Sequence, residues 1–343
     1  MLGGFEEGIR RATNGKWECI GFSEIDKYAI ATYTKHFPSH KNWGNAREIN
    51  PNELPDFDLL CCGFPCQSFS IAGKRKGFQD TRGTLFYEIC RIVAVKRPQF
   101  LFLENVKGLL SADSGRCFAT ILSSLDELGY DVEWEVLNSK HFGVPQNRER
   151  VFIIGHSRSQ PSRQIFPLGT DDKTTDDIQR QQAICNTLTQ RYEGAQATGS
   201  YIFNTISTGS THTVGTYVVE RKQHAQEIRQ PKILLKSATS EGYSECEEGD
   251  GVRLEYPSST TARGRVIKQK SNTLKSGTEG VFHNGKIRRL TPVECARLQG
   301  FSDDWCVGSD SQKYKQLGNA VTVNVITAIV TKLERLNDEK LYS

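Results

Sequence analysis

The chain has 343 residues, 37% of them hydrophobic, a length and composition that accommodate two domains with a sizeable core and exclude a fibre or a membrane-spanning protein. Its net charge of +4 and isoelectric point near 8.4 permit nucleic-acid binding without demanding it, so the distribution of charge matters more than the total. Ten cysteines without Cys-x-x-Cys pairs, no signal peptide, and no apolar stretch near the roughly 20 residues that span a bilayer point to a reduced, cytoplasmic protein away from membranes.

In chain order, Gly3-Gly4-Phe5 opens a predicted helix through Ala12, and Glu18 to Phe22 is a strand candidate ending at Ser23-Glu24-Ile25-Asp26. Glu24 lies twenty positions past Gly4, the separation at which an acidic residue meets the hydroxyls of a ribose bound at the first turn of a doubly wound sheet. A surface glutamate after a strand is also common. The run Phe57 to Cys62 reads as a buried strand ending in the tight loop Gly63-Phe64-Pro65-Cys66-Gln67, where an α/β enzyme would mount a nucleophile. Cys61, Cys62 and Cys66 are close enough to raise a metal site, yet two fall on the strand with opposite side-chain directions, so no metal is expected. Gln67-Ser68-Phe69-Ser70 reads as a loop, and Arg82-Gly83-Thr84-Leu85-Phe86 leads into an amphipathic helix. A second apolar run, Phe100 to Leu103, ends in Glu104-Asn105-Val106. A third, Val151 to Gly155, is entered through Gln146-Asn147-Arg148-Glu149-Arg150. Short apolar runs alternating with helix-length segments argue for a doubly wound α/β sheet with its ligand edge at the C-terminal strand ends. A thiol, a carboxyl and a pair of guanidiniums stand at strand ends.

Across residues 157–283 the alternation fades and polar, Gly, Ser and Thr residues dominate, which predicts a separate, smaller domain. Within it, Arg263-Gly264-Arg265-Val266-Ile267-Lys268-Gln269-Lys270 is either a solvated strand face or a source of contacts to phosphates and guanine edges. Thr291-Pro292-Val293-Glu294 carries a capping box with proline in the first helical turn, and Gln316 to Val321 precedes a long helix from Val323.

The sequences Pro65-Cys66-Gln67, Glu104-Asn105-Val106 and Gln146-x-Arg148-x-Arg150, in this order and each beside a strand-like run, resemble the motifs of DNA (cytosine-5) methyltransferases of the prokaryotic and phage restriction-modification type. The resemblance implies a doubly wound, Rossmann-like catalytic domain dependent on S-adenosylmethionine, formed by residues 1–156 and 284–343, with a target-recognition domain at 157–283. It assigns Cys66 as the nucleophile, Glu104 as the proton donor, Arg148 as the thiol's cationic neighbour and Arg150 as the ligand of the cytosine O2. To the cofactor it assigns Gly3, Gly4, Phe5, Glu24 on the ribose, Ile25, Asn45, Pro65, Leu85, Asn319 and Ala320. To DNA it assigns Gln67 and Ser68, with Arg263, Arg265 and Lys268 in the recognition domain. Implied partners are double-stranded DNA and a cognate restriction endonuclease acting on the same site, and monomeric action is expected.

Two departures accompany the resemblance. The family usually has Asp where Asn45 stands, although the Asn45 carbonyl can still accept a hydrogen bond from an adenine amino group. The family pattern also opens with a strand and Phe-x-Gly-x-Gly, whereas this chain begins Met1-Leu2-Gly3-Gly4. The expectation is an upstream start, with a damaged form as the alternative. Rival readings are a transfer-RNA cytosine-5 methyltransferase sharing the cysteine loop, an inactive DNA-binding homologue, and a nicotinamide-dependent dehydrogenase suggested by Gly3-Gly4 and Glu24. The dehydrogenase leaves Pro65-Cys66-Gln67 and Arg148-Glu149-Arg150 unexplained.

Overall fold

A computed structural model describes residues 2–65, 85–159, 164–168, 233–237, 239–254, 266–275 and 279–338. They fall into two units. The first comprises the described residues of Met1–His141, Glu149–Lys173 and Ala320–Ser343, and the second those of Phe142–Arg148 and Thr174–Asn319. The C-terminal stretch 284–343, expected to belong wholly to the catalytic domain, is thus divided at Asn319.

The first unit is built on a four-stranded mixed sheet, order β1-β2-β4-β3, from β1 (Leu59–Gly63), β2 (Phe100–Val106), β3 (Tyr130–Asn138) and β4 (Glu149–Ser157). β1 and β2 run parallel, while β4 is antiparallel to both β2 and β3. β2 is apolar along its first four residues, all buried, as expected of a strand covered on both faces. Its alternate side chains feed two layers. Leu101 and Leu103 join Val151 and Ile153 under α3 (Leu85–Lys96) and α4 (Arg116–Glu127), whose buried Ile89, Cys90, Val93, Ile121 and Leu125 complete that core. On the opposite face Phe102 meets Phe152 edge to face at 6.1 Å and Phe5 at 5.2 Å.

Phe5 belongs to α1 (Gly4–Thr13), against which the C-terminal helix packs, here α7 (Val323–Asp338). The approach is close because Gly8 has no side chain: a Cβ there would lie 2.6 Å from the Ile326 Cβ. Thr327 Oγ1 also donates to the Gly8 carbonyl at 3.2 Å. The strand expected at Glu18 to Phe22 does not form. Phe22 makes only an isolated parallel bridge with Asn42, receiving a bond from Trp43 N and donating to Lys41 O. Gly21, at φ 144°, approaches Trp43 so closely that a Cβ would sit 2.4 Å from the indole nitrogen. Beyond this crossing α2 (Lys27–His36) starts, capped by the Asp26 carboxylate.

The second unit holds a hairpin of β5 (Ile233–Lys236) and β6 (Tyr243–Cys246). It also holds an antiparallel sheet of β7 (Gly251–Arg253), β8 (Val266–Ile267), β9 (Glu279–His283) and β10 (Lys286–Arg289). Cys246, Val252, Phe282 and Ile287 are core residues there. Asn284 and Gly285, both at positive φ, form the two-residue turn between β9 and β10. The capping box at Thr291 and Glu294 starts α5 (Pro292–Leu298) as its sequence predicts, and α6 (Asp310–Asn319) follows.

Candidate active site

Strand register places the first two site residues. Gly63, the last residue of β1, lies opposite Glu104 of β2, and across the antiparallel pair Glu104 faces Phe152 while Val106 faces Arg150. Residues two apart on a strand share a face, so Glu104 and Arg150 are diagonal neighbours on one side of the sheet. They form an ion pair, Arg150 Nε to Glu104 Oε1 at 3.1 Å, with side chains only 15% and 12% exposed. Burial draws the Arg150 guanidinium below its ordinary range, and the adjacent Glu104 carboxylate opposes that.

Asn105 points to the other side and is buried. Its amide nitrogen donates to the Phe64 carbonyl at 2.8 Å, and its amide oxygen accepts from Val106 N at 2.8 Å. One side chain thereby ties the end of β2 to the chain leaving β1, with Phe64 packed 5.4 Å from Phe86. Pro65, exposed, is the last described residue there, and Cys66, Gln67 and Ser68 lie outside the described residues. Of the two cysteines on β1, burial first and nearby Glu104 second push Cys62 up to about 12, and burial raises Cys61 well above the usual thiol range. Neither competes as a thiolate at neutral pH.

A second group of expected residues gathers at the Phe22–Asn42 bridge. The Asn42 amide accepts from Glu24 N and Gly44 N and donates to the Glu24 carbonyl, while Ser23 Oγ donates to the Gly44 carbonyl at 2.7 Å. These bonds hold Glu24 and Ile25 beside the turn that carries Asn45. Glu24 Oε1 accepts from Ile25 N and Asp26 N, and Ile25 is 73% exposed. Asn45 Oδ1 accepts from Arg47 N, and its Nδ2 donates to Glu48 Oε1 at 2.9 Å. A carboxylate, an amide and an exposed aliphatic side chain on stitched neighbouring segments suit the hydroxyls, amino group and flat ring of an adenosine moiety. Gly3 and Gly4 form the N-cap and first residue of α1, Phe5 is a core residue, and Leu85 opens α3 against the core.

The remaining candidates lie in the second unit or at its margin. Gln146 Nε2 donates to the Leu298 carbonyl at 2.8 Å, and Arg148, 2% exposed, donates from Nη2 to the Gly318 carbonyl at 3.2 Å. Gln146 and Arg148 thus pack within the second unit, while Arg150 belongs to the sheet of the first. Asn319 ends α6 in an exposed position, and Ala320 is buried. Lys268 pairs with the wholly buried Asp250 at 2.9 Å and with Glu247 at 3.3 Å, so its ammonium already has two carboxylate partners. Arg263 and Arg265 lie outside the described residues. Sequence reasoning passed over Asn105 as a tether, because its partner, the Phe64 carbonyl, is 41 residues away.

The model of the C-5 cytosine-specific DNA methylases matches residues 1–335. The chain belongs to that family. This DNA (cytosine-5) methyltransferase is 36% identical to the Type II methyltransferase M.HpaII of Haemophilus parainfluenzae, covering 98% of this chain and 88% of the relative. It is 34% identical to the Type II methyltransferase M.HhaI of Haemophilus parahaemolyticus, covering 96% and 90%. Among solved structures, a putative DNA modification methyltransferase encoded within an E. coli prophage matches with a TM-score of 0.60 at 19% identity, over 98% of this chain and 97% of that one. That likeness agrees with a Rossmann-like methyltransferase fold. Among the described residues no helix is long and apolar enough to cross a membrane.

Proposed function

We propose that the methyltransferase uses S-adenosylmethionine and a covalent Cys66 adduct to methylate a cytosine turned out of duplex DNA at one recurring sequence, as the modification half of a restriction-modification system. The observation that carries this reading is the Glu104–Arg150 pair at the strand ends, with β1 ending opposite Glu104 and leading within three residues to Cys66. The names of its Type II relatives support the biological role and a cognate endonuclease as partner.

Cytosine is electron-poor at C6 but too weak a nucleophile at C5 to take a methyl group unaided. The Cys66 thiolate adds to C6 while protonated Glu104 gives its proton to N3 and Arg150 binds O2, so that electron density builds at C5. S-adenosylmethionine, when bound, supplies an electrophilic methyl group. Glu24 would hold its ribose hydroxyls, Ile25 its adenine ring and Asn45 the adenine amino group. Loss of the C5 proton then restores the ring double bond and expels Cys66. A free thiol with a pKa of about 8.5 is only a few per cent ionised at neutral pH, so Cys66 needs a cationic neighbour or the start of a following helix to favour its thiolate. In the free protein the Arg150 guanidinium is paired with Glu104. An entering base that takes Arg150 for its O2 releases Glu104 to hold the proton that N3 requires.

The test is to express this chain in a strain lacking cytosine methylation and sequence the host DNA after bisulfite treatment. New 5-methylcytosine at one short recurring sequence, lost in Cys66→Ala, is the expected result. Methylation that survives Cys66→Ala would remove the covalent step.

A further inference from the structure

The turn that carries Asn45 is held from outside by an arginine to which the chemistry above gives no part. Arg91, on α3, donates from Nη1 to the Ile49 carbonyl at 2.7 Å and from Nη2 to the Ala46 carbonyl at 3.0 Å. Its Nε is fixed by Glu88 Oε2 at 2.9 Å, one helical turn back. All three nitrogens of the planar fork are therefore engaged, two of them on main-chain oxygens that flank the turn. The turn is also stitched internally, with Glu48 N donating to the Asn45 carbonyl at 2.9 Å. Just beneath the arginine, Ile92 packs with Ile49 and Leu54, so the helix and the turn share a small apolar seam.

We infer that Arg91 is a positioning residue for the cofactor: its guanidinium clasps the Ala46 and Ile49 carbonyls and so fixes the Asn45 turn to the helix that Leu85 opens. The inference rests on the proposed use of S-adenosylmethionine, since Asn45 and Leu85 are the residues assigned to that ligand. Its physical basis is preorganisation. Asn45 Oδ1 already accepts from Arg47 N, which leaves one lone pair for an adenine amino group, and that acceptor is useful only if the turn does not have to be ordered when the ligand arrives. A clasp on backbone carbonyls orders it in advance and touches neither the reacting carbon nor the DNA. Losing it affects cofactor affinity and leaves the chemical step intact.

The test compares Arg91→Met, Arg91→Lys and Glu88→Gln with the unaltered full chain. Equilibrium binding of S-adenosylhomocysteine is measured calorimetrically, alongside KM for S-adenosylmethionine, KM for DNA and kcat. Arg91→Met should weaken binding and raise the cofactor KM about tenfold, the equivalent of about 1.4 kcal/mol, with kcat and the DNA KM within about twofold of normal. Arg91→Lys keeps the charge but has a single nitrogen for two carbonyls, so it should fall between Arg91→Met and the unaltered protein, and it serves if Arg91→Met does not fold. Glu88→Gln, which keeps both carbonyl bonds, should bind normally. Equal binding by all variants, or a fall of kcat with the cofactor KM unchanged, would overturn the clasp. An unaltered chain that binds no S-adenosylhomocysteine would overturn the cofactor reading, and the clasp with it.

Discussion

At the scale of single residues the site depends on two side chains that point to opposite faces of β2. Glu104 meets Arg150 on one face, and Asn105 holds the Phe64 carbonyl on the other. Glu104→Gln keeps the shape of the pair but has no acidic proton to give, so single-turnover methyl transfer should fall by about 10²–10⁴, the usual range for general-acid help, with DNA binding kept. Asn105→Ala should act differently. It leaves the Phe64 carbonyl without its donor in a buried setting, at a cost of roughly 1–3 kcal/mol, so both thermal stability and turnover should drop. An Asn105→Ala variant of normal stability would mean that the tether is dispensable.

At the scale of elements, the contact between α1 and α7 and the edge strand β3 make separate predictions. Gly8→Ala would put a methyl group 2.6 Å from the Ile326 Cβ, and over-packing of this kind typically costs about 1–3 kcal/mol. Ile326→Ala keeps the Cβ that the new methyl would meet and should not relieve the clash, whereas Ile326→Gly, which removes both Cβ and Cγ2, should make the two losses less than additive in denaturant unfolding. On β3, burial works against ionisation of Glu133, but His156 and the backbone N–H groups of Ile165 and Phe166 outweigh it, and the carboxyl lies below its ordinary 4.5. A carboxyl depressed in the folded state stabilises the fold above its unfolded value and loses that contribution as pH falls through the folded one. Glu133→Gln should therefore lower the melting temperature at pH 7 and narrow the gap to the unaltered protein as the pH drops below 4.5. A gap that stays constant with pH would refute this. Sequence reasoning passed over β3, although Tyr130, Val132, Trp134 and Val136 alternate with Asp131, Glu133 and Glu135. What the alternation does not show is the partners of Glu133 and Glu135, the N–H groups of Ile165, Phe166 and Leu168, more than thirty positions away.

At the scale of the whole molecule, charge and division into units govern how much was readable. The apolar runs that end in Glu104 and enter from Arg150 were legible because burial on both faces leaves little else for them to be. The capping box at Thr291 was legible because it is complete within four residues. The segment Glu18 to Phe22 was over-read, since strand propensity is realised only where a neighbour offers a full ladder and Phe22 finds only Asn42. The assignment of Lys268 to DNA met a fact no local pattern reveals, the buried Asp250 eighteen residues earlier. With that ammonium already engaged, Lys268→Ala should leave the salt dependence of DNA affinity unchanged, whereas losing a true phosphate contact would reduce the logarithmic slope by about 0.9. Titration of fluorescent duplex DNA at several salt concentrations measures this directly.

The diagonal meeting of Glu104 and Arg150 has a consequence for anyone altering this sheet. The two groups share a face only because Val106 pairs with Arg150, so a slip of β4 by one position would carry the guanidinium to the opposite side. Since Val151 to Ile154 are apolar and buried on both faces, the ruler that spaces these groups is shape: Val151 and Ile153 fill one layer and Phe152 meets Phe102 in the other. A core substitution could preserve a folded, cooperative protein and still silence it, and methylation would then report strand alignment more sensitively than any melting curve.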